Sequence, residues 1–271
     1  MQVSTIEFIK QGKIQSLTVQ DSHQSLLTIL REQMRCTGTK EGCAEGDCGA
    51  CTVVLAELEQ GQDGAPAKVQ YKAVNCCIKP AAELHGKAIW AVEDLASDPL
   101  IQKSAPNSLH ASNKIIPLHP VQEAMVECHA SQCGFCTPGF VMSLFARYQH
   151  QRLDQNSPSA NNVASIQATL SGNLCRCTGY LAIQQAAEKV DASHHDSHPT
   201  LGTVNESDLM ILLENLQTKI KSQASQSQKY NTQPAPYLLP QNLFSLLSLR
   251  QQFPKAQLIA GATDVGLWIN K

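Results

Sequence analysis

Eight of the eleven cysteines fall into two sets whose spacing suits metal ligation. The first is Cys43-x4-Cys48-x2-Cys51, with a further thiol about 25 residues on, at Cys76 or Cys77. The second is Cys133-x2-Cys136, joined far downstream by Cys175-x1-Cys177. Three thiols in one short loop and a fourth from another element is the plant-type [2Fe–2S] spacing, and such a cluster carries one electron at a time. A structural zinc site also takes four thiolates, but it is usually built from two close pairs, which disfavours zinc for the first set. The second set is less diagnostic by spacing alone. Gly42, Gly46 and Gly49 interleave the first ligands. Glycine accepts positive φ and close backbone approach, so loop N–H groups can point at the sulfurs and help set the potential. Cys76 and Cys77 are adjacent and point opposite ways from an extended backbone, so chemistry alone leaves the choice between them open. Two such sets on one chain suggest a wire for electrons.

These loops need elements to hold them. Val3, Ile6, Phe8, then Ile14, Leu17 and Val19, with Gly12 between, predict a hairpin over about the first 20 residues. The run from Ser25 to Arg31 lacks strand alternation and predicts a short helix. Strands are expected over 51–55, 68–74 and 87–92, with the cysteine loop between helix and strand in a small α+β unit. From about 117 the apolar period turns helical. Pro120 opens a helix over 120–127, since a first-turn proline loses no needed hydrogen bond. Thr137-Pro138 repeats the start signal as cap plus first residue, and Phe140, Val141, Leu144 and Phe145 follow as an apolar face. Helices over 163–170 and 181–190 complete a four-helix unit. The second cysteine pairs fall at its helix ends, where N-termini favour anionic thiolates. Residues 191–236, with His194, His195, His198 and a Ser/Gln/Lys run over 221–229, read as a linker carrying one amphipathic helix over 206–220. Apolar patterning resumes at Tyr237, but about 35 residues are too few for a core of their own.

A length of 271 residues suits two domains, and the composition is that of soluble globular material. A net charge of −2 gives no electrostatic case for nucleic acid or an anionic membrane. The sequence shows neither a signal-peptide layout nor an apolar run long enough to span a bilayer. A cytoplasmic location is the expectation, and there thiols stay reduced, which favours metal over disulfides.

The stretch from Thr39 to Val53 resembles the first iron–sulfur loop of the xanthine dehydrogenase (molybdenum hydroxylase) family. Gln132 to Gly139 and Gly172 to Tyr180 resemble its second site, in the same order. The resemblance covers about residues 1–190. It implies an α+β architecture: a β-grasp plant-type ferredoxin domain (1–93), then an all-α four-helix [2Fe–2S] domain (94–190). It favours Cys77 over Cys76, giving Cys43, Cys48, Cys51 and Cys77 for one cluster and Cys133, Cys136, Cys175 and Cys177 for the other. It also implies that Gln132 contacts a molybdenum–pterin cofactor held by a large partner subunit in a hetero-oligomer. Electrons would leave that cofactor singly, pass through the helical-domain cluster and then the β-grasp cluster, and reach FAD and NAD while a purine is oxidised. An aldehyde or N-heterocycle oxidoreductase keeps the same wiring with another substrate.

After the linker (191–236), Leu258, Ile259, Ala260, Gly261, Ala262, Thr263, Asp264 and Val265 resemble the first flavin-contacting loop of the family's FAD domain. Residues 237–271 are therefore expected to be the incomplete start of an α+β FAD-binding domain. Iron–sulfur and FAD domains on one chain are typical of the small subunit of bacterial family members. The expectation is a chain truncated within the FAD domain, with an incomplete flavin site or no assembly at all. One departure stands out: Leu181-Ala182 follow Tyr180 where the family has Arg-Pro. Cys36, Cys76 and Cys128 read as small semi-buried residues, His129 as a hydrogen-bonding core residue, and Trp90 and Trp268 as packing residues.

Overall fold

A computed structural model of the chain describes residues 4–59, 61, 66–103, 118–153, 163–192, 200–223, 229–230, 237–240, 242–261 and 263–270. β1 (Ser4–Lys10) and β2 (Lys13–Val19) form an antiparallel hairpin in which Lys10 faces Lys13. Gln11 and Gly12 both take positive φ, at 52° and 63°, the two-residue turn that matches strand twist. α1 (Leu26–Thr28) is capped by the Ser25 hydroxyl, which accepts from the Thr28 N–H at 3.2 Å. It runs on as a π-helical turn over Ile29–Gln33. β3 (Thr52–Glu59), β4 (Lys68–Asn75) and the short β5 (Ala88–Trp90) follow the cysteine loop. The sheet order is β2-β1-β5-β3-β4, with β1 and β5 parallel and the other pairs antiparallel.

β3 explains how this sheet is used. Its residues Val53, Val54, Leu55 and Ala56 are all buried, so the strand is apolar on both faces. Val53 and Leu55 pack on one side with Ile6, Phe8, Leu26, Cys51 and Cys77. Val54 and Ala56 pack on the other with Trp90, Tyr71 and the helices.

The helices are α2 (Pro120–Glu127), α3 (Thr137–Leu153), α4 (Val163–Leu170), α5 (Leu181–Ala192) and α6 (Glu206–Gln223). His119 caps α2: its Nδ1 accepts from the Val121 N–H at 3.1 Å, while its own N–H donates to Gln122 Oε1 at 3.0 Å. α3 lies across the sheet, with Phe145 6.2 Å from Trp90 between ring centroids and His150 Nε2 2.7 Å from the Tyr71 carbonyl. Arg147 ties three helices together. It donates to both Asp191 oxygens, at 3.1 and 2.6 Å, and to Ser165 Oγ at 2.7 Å. The sheet and the helical unit therefore share one continuous core.

Several expectations change. α3 already includes Thr137, one residue earlier than the cap reading placed its start. Residues 191–236 are not simply a linker. Asp191 is fully buried at the end of α5, and Leu209, Leu213, Leu216 and Ile220 bury one face of α6 in the core. The amphipathic period was legible; what its apolar face covers was not. Ile101 pairs with Val204, and Gln102 N donates to the Thr203 carbonyl at 2.9 Å, so this segment also adds a short bridge. His194, His195, His198 and Ala262 lie outside the described residues. His129 is exposed with φ 51°, so it is a turn residue and not part of the core. Trp90 is buried, but Trp268 is 64% exposed and does not pack.

The last elements are β6 (Lys229–Tyr230), β7 (Tyr237–Leu238), α7 (Leu243–Gln252) and α8 (Val265–Asn270). No residue of α7 is buried, whereas Tyr237, Leu239 and Leu267 pack against the core around Cys77 and Ile78. Among the described residues no helix is long and apolar enough to cross a membrane.

Candidate metal centres

The first cysteine loop leaves the π-helical turn and returns at β3. Arg31 fastens its entry by donating to the Thr39 and Thr37 carbonyls at 2.6 and 3.0 Å. Lys40 N closes it onto the Ala50 carbonyl at 3.1 Å. Inside the loop the N–H groups of Glu45 and Cys48 each donate to Cys43 Sγ at 3.4 Å. Gly46 and Gly49 take φ 74° and 67°, and a Cβ at Gly46 would lie 2.4 Å from Ile78 Cδ1. Asn75, one residue before the Cys76-Cys77 pair, holds the loop by donating to the Gly46 carbonyl.

The thiols of the first set interact in two groups, Cys43 with Cys48 and Cys51 with both Cys76 and Cys77. Burial pushes the Cys43 thiol up, but the N–H groups of Cys48, Glu45 and Asp47 outweigh it and bring the thiol down to about 7. Cys48 is raised, by burial first. Cys51 is pushed up to about 12, chiefly by its hydrogen bond with Cys76, and Cys77 is raised by Cys51 and then by burial. Cys76 is wholly buried, and its thiol donates to the Cys51 carbonyl at 2.9 Å.

The second centre sits between the start of α3 and the α4–α5 connection. Cys133 and Cys177 have their sulfurs 3.3 Å apart, and Cys136 is in contact with Cys175. Here there are two pairs, each joining one thiol from either segment. Burial raises Cys175, yet the Thr178 hydroxyl and N–H and the Cys177 N–H bring it down to about 7. Burial and then Cys175 push Cys136 up to about 12. The Cys175 N–H donates to the Tyr180 hydroxyl at 2.9 Å, and Phe140 meets the Tyr180 ring edge-on at 6.2 Å. Gly134 and Gly179, beside the ligands, have φ 80° and 70° with no heavy atom within 4 Å of a would-be Cβ.

These residues fit the two groups the sequence implied. Paired thiols suit a centre with two metal atoms, each holding two ligands. The amides aimed at Cys43 and Cys175 sulfurs supply the hydrogen bonds that such thiolates receive.

The two centres adjoin. Leu174 N, next to Cys175, donates to the Cys48 carbonyl at 2.9 Å. A Cβ at Gly49 would lie 2.1 Å from the Gly172 carbonyl, and one at Gly139 would lie 2.1 Å from the Gly49 carbonyl. Asn173 bridges both loops through its side chain. Reading along the chain missed Asn173, Ser143 and Thr52; Asn173 stands within the second motif, but only the fold shows what it reaches. Gln132 is exposed beside Cys133. Cys133, Cys177 and the apolar residues Phe135, Leu174, Tyr180 and Leu181 in the same two segments are exposed as well.

The candidate flavin loop lies near the segment that follows Cys77. Leu258, Ala260, Gly261, Thr263 and Asp264 are exposed, Ile259 and Val265 half-buried, and Gly261 has φ 79° with open space around it. Just beyond the loop, Gly266 sits on the Ile78 carbonyl, where a Cβ would come within 2.3 Å. Lys79 Nζ reaches the Gly261 carbonyl at 3.5 Å. The loop is thereby moored one residue from Cys77.

Comparison with known proteins finds two iron–sulfur domain models along the chain. Residues 8–81 match a family model described as 2Fe-2S iron-sulfur cluster binding domain, and residues 107–188 match one described as [2Fe-2S] binding domain. Xanthine dehydrogenase of Drosophila pseudoobscura pseudoobscura is 32% identical over 97% of this chain and 20% of its own length. Aldehyde oxidase 3 of Mus musculus is 30% identical over 96% of this chain and 20% of its own. The chain thus spans about a fifth of these curated relatives. Among solved structures, quinoline 2-oxidoreductase from Pseudomonas putida 86 superposes with a TM-score of 0.52 at 29% identity, covering 71% of this chain and 96% of that one. Aldehyde oxidoreductase from Desulfovibrio gigas gives a TM-score of 0.50 at 30% identity, over 71% of this chain and 17% of that one.

Proposed function

The chain belongs to the molybdenum hydroxylase family as one of its iron–sulfur members, and from that premise we propose that it carries electrons from a molybdenum–pterin cofactor in a large partner to FAD, and thence to NAD. Cys43, Cys48, Cys51 and Cys77 would hold one [2Fe–2S] cluster, and Cys133, Cys136, Cys175 and Cys177 the other. When bound, each cluster supplies a one-electron step. The chain's own residues order and shield these groups. Cys51 and Cys77 are buried, whereas Cys133 and Cys177 are exposed. The second centre would therefore face the partner, with the exposed Gln132 contacting the pterin. The observation that carries this reading is that the two cysteine loops adjoin, with Leu174 N on the Cys48 carbonyl at 2.9 Å and the Cys133 and Cys177 sulfurs 3.3 Å apart.

We divide the chain into a β-grasp ferredoxin-type unit (1–93), a helical unit (94–190) and the start of an FAD-binding domain (237–271). Within 191–236, α6 belongs to the core. The residues 258–265 would contribute backbone contacts to the flavin diphosphate, for which the open, left-handed Gly261 is suited. The proposed reaction is oxidation of hypoxanthine and xanthine to urate in the cytoplasm. Oxidation of an aldehyde or an N-heterocycle is the second reading, because relatives with those names stand at comparable identity.

Iron, acid-labile sulfide and zinc counted on anaerobically purified protein test the core of this. About four irons and four sulfides per chain, as two [2Fe–2S] clusters require, support it. Zinc without sulfide, after expression with ample iron, sinks it.

A further inference from the structure

Asn173 is 3% exposed and stands two residues before Cys175. Its amide nitrogen donates to the Gly49 carbonyl at 3.0 Å and to Thr52 Oγ1 at 3.2 Å. Its amide oxygen accepts from Ser143 Oγ on α3 at 2.6 Å. Thr52 Oγ1 in turn donates to the Gly49 carbonyl at 2.7 Å. The side chain therefore touches three places at once: the turn between Cys48 and Cys51, the first residue of β3, and α3, which starts just after Cys136. Its orientation is set by the Gly49 carbonyl, which can only accept and so takes the NH2 group, leaving the amide oxygen to the Ser143 hydroxyl.

An ordinary structural duty does not account for this side chain. The end of α4 is closed by the Asn173 backbone, whose N–H donates to the Leu170 carbonyl at 3.0 Å. The side chain's hydrogen bonds leave its own connection. They run to residues more than 100 positions earlier and to α3. Around it the backbones of the two loops touch, with Gly49 between Gly139 and the Gly172 carbonyl. Buried hydrogen bonds of this kind hold a geometry, because breaking one strands a polar partner away from water.

We propose that Asn173 is a positioning residue that clamps the first and second cysteine loops in one fixed register, and so sets the electronic coupling between the two clusters those loops would hold. The proposal rests on the iron–sulfur reading above. Asn173 touches no ligand sulfur; it acts through the Gly49 turn and through the placement of Leu174 against the Cys48 carbonyl.

The test is electron paramagnetic resonance on the anaerobically purified full chain after dithionite reduction. Two reduced clusters held close together split each other's signals. Asn173→Ala is expected to keep the native iron and sulfide count and both cluster signals, but to lose the mutual splitting. Asn173→Asp keeps the acceptor for Ser143 and removes both donors, so it should lose the splitting as Asn173→Ala does. Ser143→Ala frees the amide to rotate and should lose part of it. Unchanged splitting in Asn173→Ala at full iron content overturns the proposal, even if the melting temperature falls. Should Asn173→Ala fail to fold, unchanged splitting in both Asn173→Asp and Ser143→Ala overturns it equally. Native protein with full iron and no splitting also overturns it, whereas native protein without iron and sulfide marks failure of the iron–sulfur reading itself.

Discussion

Leu174 N donates to the carbonyl of Cys48 at 2.9 Å, so a backbone hydrogen bond joins a ligand of the first cysteine set to the neighbour of a ligand in the second. The approach is possible because Gly49 and Gly139 present no side chains where the loops cross. Gly49→Ala would place a methyl 2.1 Å from the Gly172 carbonyl at a positive φ of 67°. Overpacking and backbone strain of this kind each cost about 1–3 kcal/mol. A lowered melting temperature in circular dichroism is expected, and a native-like melt would contradict the tight crossing.

Each cysteine set has its own four thiols, so loss of one ligand should be local. Cys48→Ser is expected to remove the first cluster's signal and Cys175→Ser the second's, with iron falling from about four to about two per chain in each. The remaining cluster should still be reduced by dithionite. Loss of both signals in either variant would show that the centres assemble only together, a coupling that the shared core makes worth measuring.

Arg147 and Asp191 form a buried bidentate pair between α3 and α5. Asp191→Ala leaves the guanidinium buried without its carboxylate, which typically costs about 3–5 kcal/mol. Urea denaturation should show a midpoint lowered accordingly, and a change below about 1 kcal/mol would mean that water reaches Arg147.

Glu57 gives a pH signature. Burial pushes its carboxyl up, but the hydrogen bond from Lys72 and the charges of Lys87 and Lys72 prevail and hold it below the ordinary 4.5. A carboxyl lowered by folding contributes stability that is present above its unfolded value and is lost as pH falls through the folded one. Glu57→Gln should therefore be less stable than the native chain at pH 7, with the difference shrinking below pH about 4. Equal differences at pH 7 and at pH about 3 in denaturant titrations would remove Glu57 from the acid response.

Much of the architecture was legible because it is local. The hairpin followed from β-formers around Gly12, and the helix over 120–127 from a first-turn proline. The spacing 43-48-51 confines three thiols to one loop whatever the surroundings. Trp268 and His129 show where such reading stops. Trp268 read as a packing residue and His129 as a hydrogen-bonding core residue, yet one is exposed and the other lies in an exposed turn. Burial depends on what a distant segment covers, and α6 shows the converse: a helix read within a linker fills one face of the sheet.

By itself the sequence picked out seven of the eight candidate cysteines, because ligand type and loop length are properties of a short stretch of chain. It left the choice between Cys76 and Cys77 to the resemblance. In the fold both thiols interact with Cys51, and the Cys76 thiol also donates to the Cys51 carbonyl at 2.9 Å. Only the tertiary structure decided how the sets pair, which of them reaches the surface, and that Asn173 ties one loop to the other. Those depend on contacts between residues more than 100 positions apart, which packing of the sheet against α3 brings together and which no local period encodes.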